Sequence, residues 1–208
     1  MVVYDAEGGR LAARVWLTIW ASGHERVAIL NGGLNKWRDE AREVTRDPPP
    51  AREGAWQPLQ TPRNVLGLED VARFRPHATP GEMPASTLLD ARTYQEFMGA
   101  DVRAKHGGHI PGAVNLPFDA FLEAVSPKQA DPNSKEQPYH VWRSPQEIHG
   151  ILRAACVRPG QPLAVYCQSG GRAAHLQFSL LLMGFADTAN YMGSWREYGN
   201  RDDVDIEK

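Results

Sequence analysis

The stretch VYDAEGGRLA at residues 3–12 returns as VYCQSGGRAA at residues 165–174, with six of ten positions identical. A repeat of this kind says that one structural unit has been used twice. Each copy runs from an apolar, strand-forming start into a pair of glycines and then into a helix pattern, Leu11 to Trp20 in the first and Ala173 to Leu182 in the second. Farther on, LNGGLNKW (30–37) falls on YMGSWREY (191–198) after a one-residue slip. The plan is strand, glycine turn, helix, strand.

Between the copies lies REVTRDPPPAREGAWQPLQTPRN, residues 42–64. Three consecutive prolines cannot sit inside a helix or a central strand, so the segment reads as a semi-rigid linker. Beyond it strands and helices alternate. LEDVARF (68–74) and TYQEFM (93–98) read as short helices, TLLDA (87–91) and GAVNLP (112–117) as strands, and FDAFLEAV (118–125) as a helix. SPQEIHGILRAAC (144–156) is a helix with Ser144 as cap, Pro145 in the first turn and Glu147 completing a capping box. LAVYC (163–167) is a buried strand, and ANYM (189–192) the last one. Alternation of this kind predicts an α/β fold: a parallel sheet covered by helices on both faces. Ligands of such sheets sit at the carboxyl ends of strands, where Cys167 falls.

Charge and composition remove whole classes of function. The 208 residues carry a net charge of -2, so no basic field points to nucleic acid or to an anionic membrane. The longest apolar stretches, VWLTIWA and FSLLLMGFA, are far shorter than the roughly 20 residues that cross a bilayer. Two cysteines, Cys156 and Cys167, form neither a disulfide framework nor a metal-ligand spacing. No metal and no cofactor are expected, and the cysteine usage fits a cytoplasmic setting.

The turn after Cys167 has the makings of an anion cradle. A helix N-terminus offers unpaired N–H groups and the positive end of a dipole. Gly170 and Gly171 let the backbone curl so that several N–H groups aim inward, and Arg172 adds a cation. No acidic residue lies in CQSGGR. Such surroundings favour a thiolate. The alternative at this point is a buried structural cysteine at a tight turn.

These motifs identify a resemblance. CQSGGR resembles the active-site loop of the rhodanese family of sulfurtransferases in its tandem-domain form. GHIPGAVNLP (108–117) is similar to that family's upstream signature, and YMGSWREY to its C-terminal one, with Met192 where an acidic residue is usual. The resemblance spans residues 87–198; the first copy matches only the back half of such a domain. It implies a rhodanese-like parallel sheet preceded by a partial second copy of the same fold. It also implies that Cys167 takes a sulfane sulfur from a donor such as thiosulfate, or mercaptopyruvate, and hands it to cyanide or a thiol. Gln168, Ser169, Gly170, Gly171 and Arg172 would bind the substrate, and Arg103 and Lys105 either supply further positive charge or are solvated loop cations. Glu96 stands where the family often places a substrate-binding arginine. Four residues separate Cys167 from Arg172, whereas rhodanese-related phosphatases have five, which favours sulfur over phosphoryl transfer. A persulfide carrier that delivers sulfur to a protein partner is the alternative reading.

The first copy has Asp5 at the position of Cys167. A carboxylate cannot transfer sulfur, but it can fill its own nest and cap its own helix. The expected organisation is therefore a non-catalytic half-domain (1–41), a linker (42–64) and a catalytic domain (65–208). The missing front half of the first copy predicts a chain cut from a longer tandem protein. Among the remaining residues, Cys156 reads as core packing, His109 as a structural hydrogen-bonder, and Trp195 as packing under the last strand. His175 faces either core or solvent. Trp142, read as a loop residue, is either a wall of the donor pocket or a surface contact.

Overall fold

The computed structural model describes residues 1–48, 50, 54–74, 85–127 and 138–208. From the N-terminus come β1 (Val2–Val3), α1 (Arg10–Ala21), β2 (Ala28–Ile29) and α2 (Gly33–Asp39). Next are β3 (Val65–Leu66), α3 (Leu68–Val71), β4 (Thr87–Asp90), α4 (Tyr94–Phe97) and β5 (Val114–Asn115). A hairpin follows, β6 (Leu122–Val125) and β7 (Tyr139–Trp142). The chain ends with α5 (Pro145–Ala154), β8 (Leu163–Tyr166), α6 (Gly171–Leu182), β9 (Thr188–Tyr191) and α7 (Ser194–Tyr198).

Two compact units result. The larger holds residues 64–121 and 143–208. Its core is a parallel sheet of order β3-β9-β8-β4-β5. Every residue of β4 and β8 is buried, as expected of strands covered on both faces. Leu88, Ala164, Tyr166 and Tyr191 pack with Trp195 and Tyr198 in one cluster. Residues 173–180 of α6 are all buried, His175, Gln177 and Ser179 among them, so every face of this part of the helix lies in the interior. The α/β class and the parallel sheet are as the sequence predicts. Helix α5 carries its capping box: Ser144 Oγ accepts the N–H of Glu147 at 3.3 Å, and Glu147 Oε2 accepts the N–H of Ser144 at 3.0 Å.

The smaller unit comprises residues 1–63 and 122–142. Strands β1 and β2 pair in parallel, Val2 opposite Ala28 and Val3 opposite Ile29. The sequence reading differs from the structure in four respects here. Residues 118–125 were expected as one helix; instead a 3₁₀ turn over Phe118–Phe121 runs into β6. Tyr139–Trp142 was expected as loop and is the partner strand, with Tyr139 and Val141 buried and His140 exposed. That alternation is a strand signal. The hairpin then groups with residues 1–63, so the stretch 65–208 is not one unbroken block. Tyr139 donates its hydroxyl to Asp39 at 2.9 Å, and the Trp142 N–H reaches Asn31 Oδ1 at 3.1 Å. The described part of the proline-rich segment returns to α1 rather than standing free as a spacer. The N–H groups of Leu59 and Arg63 bond the carbonyls of Ser22 and Ala21, both at 2.9 Å. Prolines 48 to 50 and the residues beside them fall partly outside the described residues.

Cys156 was expected in the core and is exposed. It follows the C-cap of α5 with φ +56°. Its N–H bonds Arg153 O at 3.0 Å, and the Val157 N–H bonds Leu152 O at 2.9 Å. This is the left-handed stop in which the residue after the cap turns outward and the next packs back. Val157 takes the buried place instead.

Candidate active site

Strand β8 delivers Cys167 to the carboxyl end of the sheet, and α6 starts four residues later. The N–H of Cys167 donates to Ser194 Oγ at 3.2 Å, and its carbonyl accepts the Trp195 N–H at 2.9 Å. The Gln168 carbonyl accepts the N–H of Arg196 at 2.9 Å. So α7 clamps the base of the loop. Gly170, at φ +85°, lets the loop enter α6, and its N–H donates to Cys167 Sγ at 3.2 Å. A side chain here would be strained, and its Cβ would lie 3.0 Å from Met192 Sδ. Cys167 is 1% exposed.

The neighbouring strand end is held by a buried ion pair. Arg92 binds both oxygens of Asp90, donates to Gly108 O at 2.8 Å and lies 4.5 Å from the Trp195 ring centroid. Both charges are fully buried but paired and hydrogen-bonded, the form in which buried charge is tolerated.

Arg172 does not stand free over the loop. Its Nη1 and Nη2 donate to Glu96 Oε2 and Oε1 at 2.6 and 2.7 Å. Glu96 is 0% exposed and is also the third residue of the α4 capping box, where the Thr93 N–H and hydroxyl reach Oε2 at 3.2 and 3.1 Å. Burial would raise the Glu96 carboxyl, but the Arg172 bonds and charge, with Thr93, bring it down to about 2. Burial opposes the charge on Arg172, and the bond to Glu96 outweighs it. Arg103 comes to the same place. Its guanidinium lies 3.7 Å from Glu96 and 2.7 Å from Asp101, and its carbonyl accepts from Gln168 Nε2 at 2.9 Å. Lys105 is directed elsewhere, onto Asp202 at 2.6 Å.

Residues 5–12 supply the same frame with a carboxylate in it. Asp5 Oδ1 accepts the N–H groups of Glu7 and Gly9, both at 2.9 Å. Oδ2 accepts those of Leu11 and Ala12 at 2.8 and 2.9 Å. Burial works to raise the Asp5 carboxyl, and the four backbone bonds more than offset it, holding it below its ordinary 3.8. Arg10 takes no part; it pairs with Glu7.

The sequence reading therefore brings Cys167, Gln168, Ser169, Gly170, Gly171, Arg172 and Arg103 together around one loop. It missed Ser194 and the ion-pair role of Glu96. The capping pattern Thr93-x-x-Glu96 was a visible signal for a structured carboxylate; the tie to Ser194, 27 residues from Cys167, had none. His109 is a hydrogen-bonder: Nδ1 lies 3.0 Å from Phe97 O, and the ring stacks on Phe97. His175 is buried, edge-on to Phe118. Trp195 is buried as expected and donates to His106 O at 3.2 Å.

The rhodanese-like domain model matches residues 1–40 and 78–201. The chain belongs to the rhodanese family. Among curated relatives, the thiosulfate sulfurtransferase of Azotobacter vinelandii is 32% identical over 209 residues, 99% of this chain and 69% of that protein. The thiosulfate sulfurtransferase of Gallus gallus is 30% identical over 97% of this chain and 64% of its own length. The 3-mercaptopyruvate sulfurtransferase of Rattus norvegicus is 29% identical over 95% and 62%. The chain thus spans about two thirds of the length of these relatives. Among solved structures, YnjE superposes with a TM-score of 0.78 at 23% identity, over 100% of this chain and 48% of that one. Wild-type EanB does so at 0.75 and 24%, over 100% and 50%. These two likenesses speak to the fold. Among the described residues, no helix is long and apolar enough to cross a membrane.

Proposed function

We propose that this rhodanese-family chain is a sulfurtransferase working through a persulfide on Cys167. The observation that carries the reading is the Cys167 sulfur at the start of α6, on the N–H of Gly170, in a loop whose twin at residues 5–12 holds an anion with four N–H groups. The Cys167 thiolate attacks the outer sulfur of thiosulfate. A sulfur–sulfur bond forms to Cys167, and the bond to the sulfonate sulfur breaks, so that sulfite leaves with the electron pair. Cyanide or a thiol, from a small molecule or a sulfur-accepting protein, then attacks the outer sulfur and releases the Cys167 thiolate. This is covalent catalysis in two half-reactions. The N–H groups from Gln168 to Arg172 bind the transferred sulfur and the sulfonate.

Residues 1–41, in this reading, are a non-catalytic copy of the same motif in a tandem arrangement, with the Asp5 carboxylate in place of the thiol. Both cysteines are unpaired, which fits a reducing, cytoplasmic setting. The test is the intact mass of the protein after incubation with thiosulfate. One added sulfur atom, removed by cyanide and absent in Cys167→Ser, is the expected result. An unchanged mass, or an adduct that persists in Cys167→Ser, overturns the mechanism.

A further inference from the structure

Two observations bear on what the loop can bind. In the stretch 5–12, the anion is held by backbone N–H groups alone, and the arginine of the glycine turn, Arg10, pairs with Glu7. In the stretch 167–174, the arginine at the same place, Arg172, is held by both oxygens of Glu96. In neither stretch does the GGR arginine serve the nest. The charges around Cys167 also cancel. Arg172 and Arg103 face Glu96 and Asp101, while Asp90 is matched by Arg92.

We infer that Glu96 is a specificity-determining positioning residue: by withholding Arg172 from the loop, it leaves donor binding to backbone N–H groups and favours singly charged over doubly charged sulfur donors. This rests on the sulfurtransferase reading for its biological meaning, but not for its measurement. Backbone N–H groups carry partial charges, and a compensated guanidinium adds little field. A dianion gives up the hydration of two charges on entering such a site, and a monoanion of one. Glu96 is well placed to impose this, because it is fully buried, its carboxylate is pinned by Thr93 as well as by Arg172, and water screens it little. The class of donor that suits the loop is therefore an organic one of low charge, such as an alkyl thiosulfonate or an alkyl persulfide.

Thiosulfate and methanethiosulfonate test this, because they share a shape and differ by one negative charge. Their binding is measured calorimetrically, without turnover, in Cys167→Ser and in Cys167→Ser/Glu96→Gln. Coulomb energy scales with ligand charge. If Glu96→Gln tightens thiosulfate about tenfold, roughly 1.4 kcal/mol, methanethiosulfonate should tighten only about threefold. Equal changes for the two ligands, or weaker binding of both, overturn the inference. A second variant guards against misfolding. Replacing the pair together, Glu96→Leu/Arg172→Met, removes no net charge and should leave thiosulfate affinity within about threefold. A loss of thirtyfold or more would make Arg172 a direct ligand and sink the proposal. With Cys167 restored, Glu96→Gln should act on the KM for thiosulfate far more than on kcat. A defect confined to kcat counts against it. Failure to form a persulfide in the wild-type chain would overturn the sulfurtransferase reading and leave these binding results standing.

Discussion

The N–H of Cys167 donates to the hydroxyl of Ser194 at 3.2 Å, and that hydroxyl donates onward to the carbonyl of Tyr191 at 2.8 Å. Both residues are fully buried, and Ser194 adopts φ +54°, in the left-handed region. The first bond of the loop is thus tied to the end of β9 through one side chain. Ser194→Ala strands a buried N–H and should cost about 1–3 kcal/mol in urea unfolding. It should also lower sulfur transfer while leaving the Cys167 thiol in place, as checked by thiol titration of the folded protein. Wild-type stability and activity together would mean that the tether carries nothing.

Asp5 offers a direct check on the nest. Asp5→Asn keeps one acceptor but presents an amide to two backbone donors. It should destabilise the smaller unit by roughly 2–3 kcal/mol, in line with charge-assisted bonds. Hydrogen exchange should quicken at the amides of Glu7, Gly9, Leu11 and Ala12. Unchanged protection at those four amides would refute the account of the carboxylate as their anchor.

Acid should undo Glu96 late. Its carboxyl is lowered to about 2 when folded, against an ordinary 4.5. A group depressed on folding stabilises the protein fully above its unfolded value and loses that stabilisation as the pH falls through the folded one. The window is therefore about pH 4.5 down to 2, and the contribution above it is on the order of 3 kcal/mol. Stability measured against pH should fall across this window, and Glu96→Gln should flatten the slope. Equal slopes in the two proteins would contradict the assignment.

Cys156→Gly should stabilise the protein by about 1 kcal/mol, because glycine takes the left-handed turn after α5 without steric cost. Sulfur transfer should be unaffected. Thermal unfolding and the cyanide assay read the two effects separately, and a lower melting temperature would refute the first.

What was legible in the chain was local or repeated. The strand–glycine–helix unit could be found because it occurs twice, and the cap at Ser144 because its partner lies three residues away. The parallel sheet followed from alternation. What escaped was pairing across long separations. Glu96 meets Arg172 from 76 residues upstream, and no periodicity marks it. Strands β6 and β7 belong together although a stretch outside the described residues separates them. Cys156 misled because apolar character alone predicts burial, whereas its backbone conformation turns it outward.

The smaller unit takes its substance from two stretches, 1–63 and 122–142, with a stretch of the larger unit threaded between them. No single cut in the chain can release either unit whole. Its hairpin also cannot reach Asn31 and Asp39 until some sixty intervening residues have been looped out, an entropic toll that grows with the logarithm of loop length and slows folding more than it weakens the folded state. During synthesis the first 63 residues would leave the ribosome well before their missing strands. The two units of this chain are thus bound to mature together.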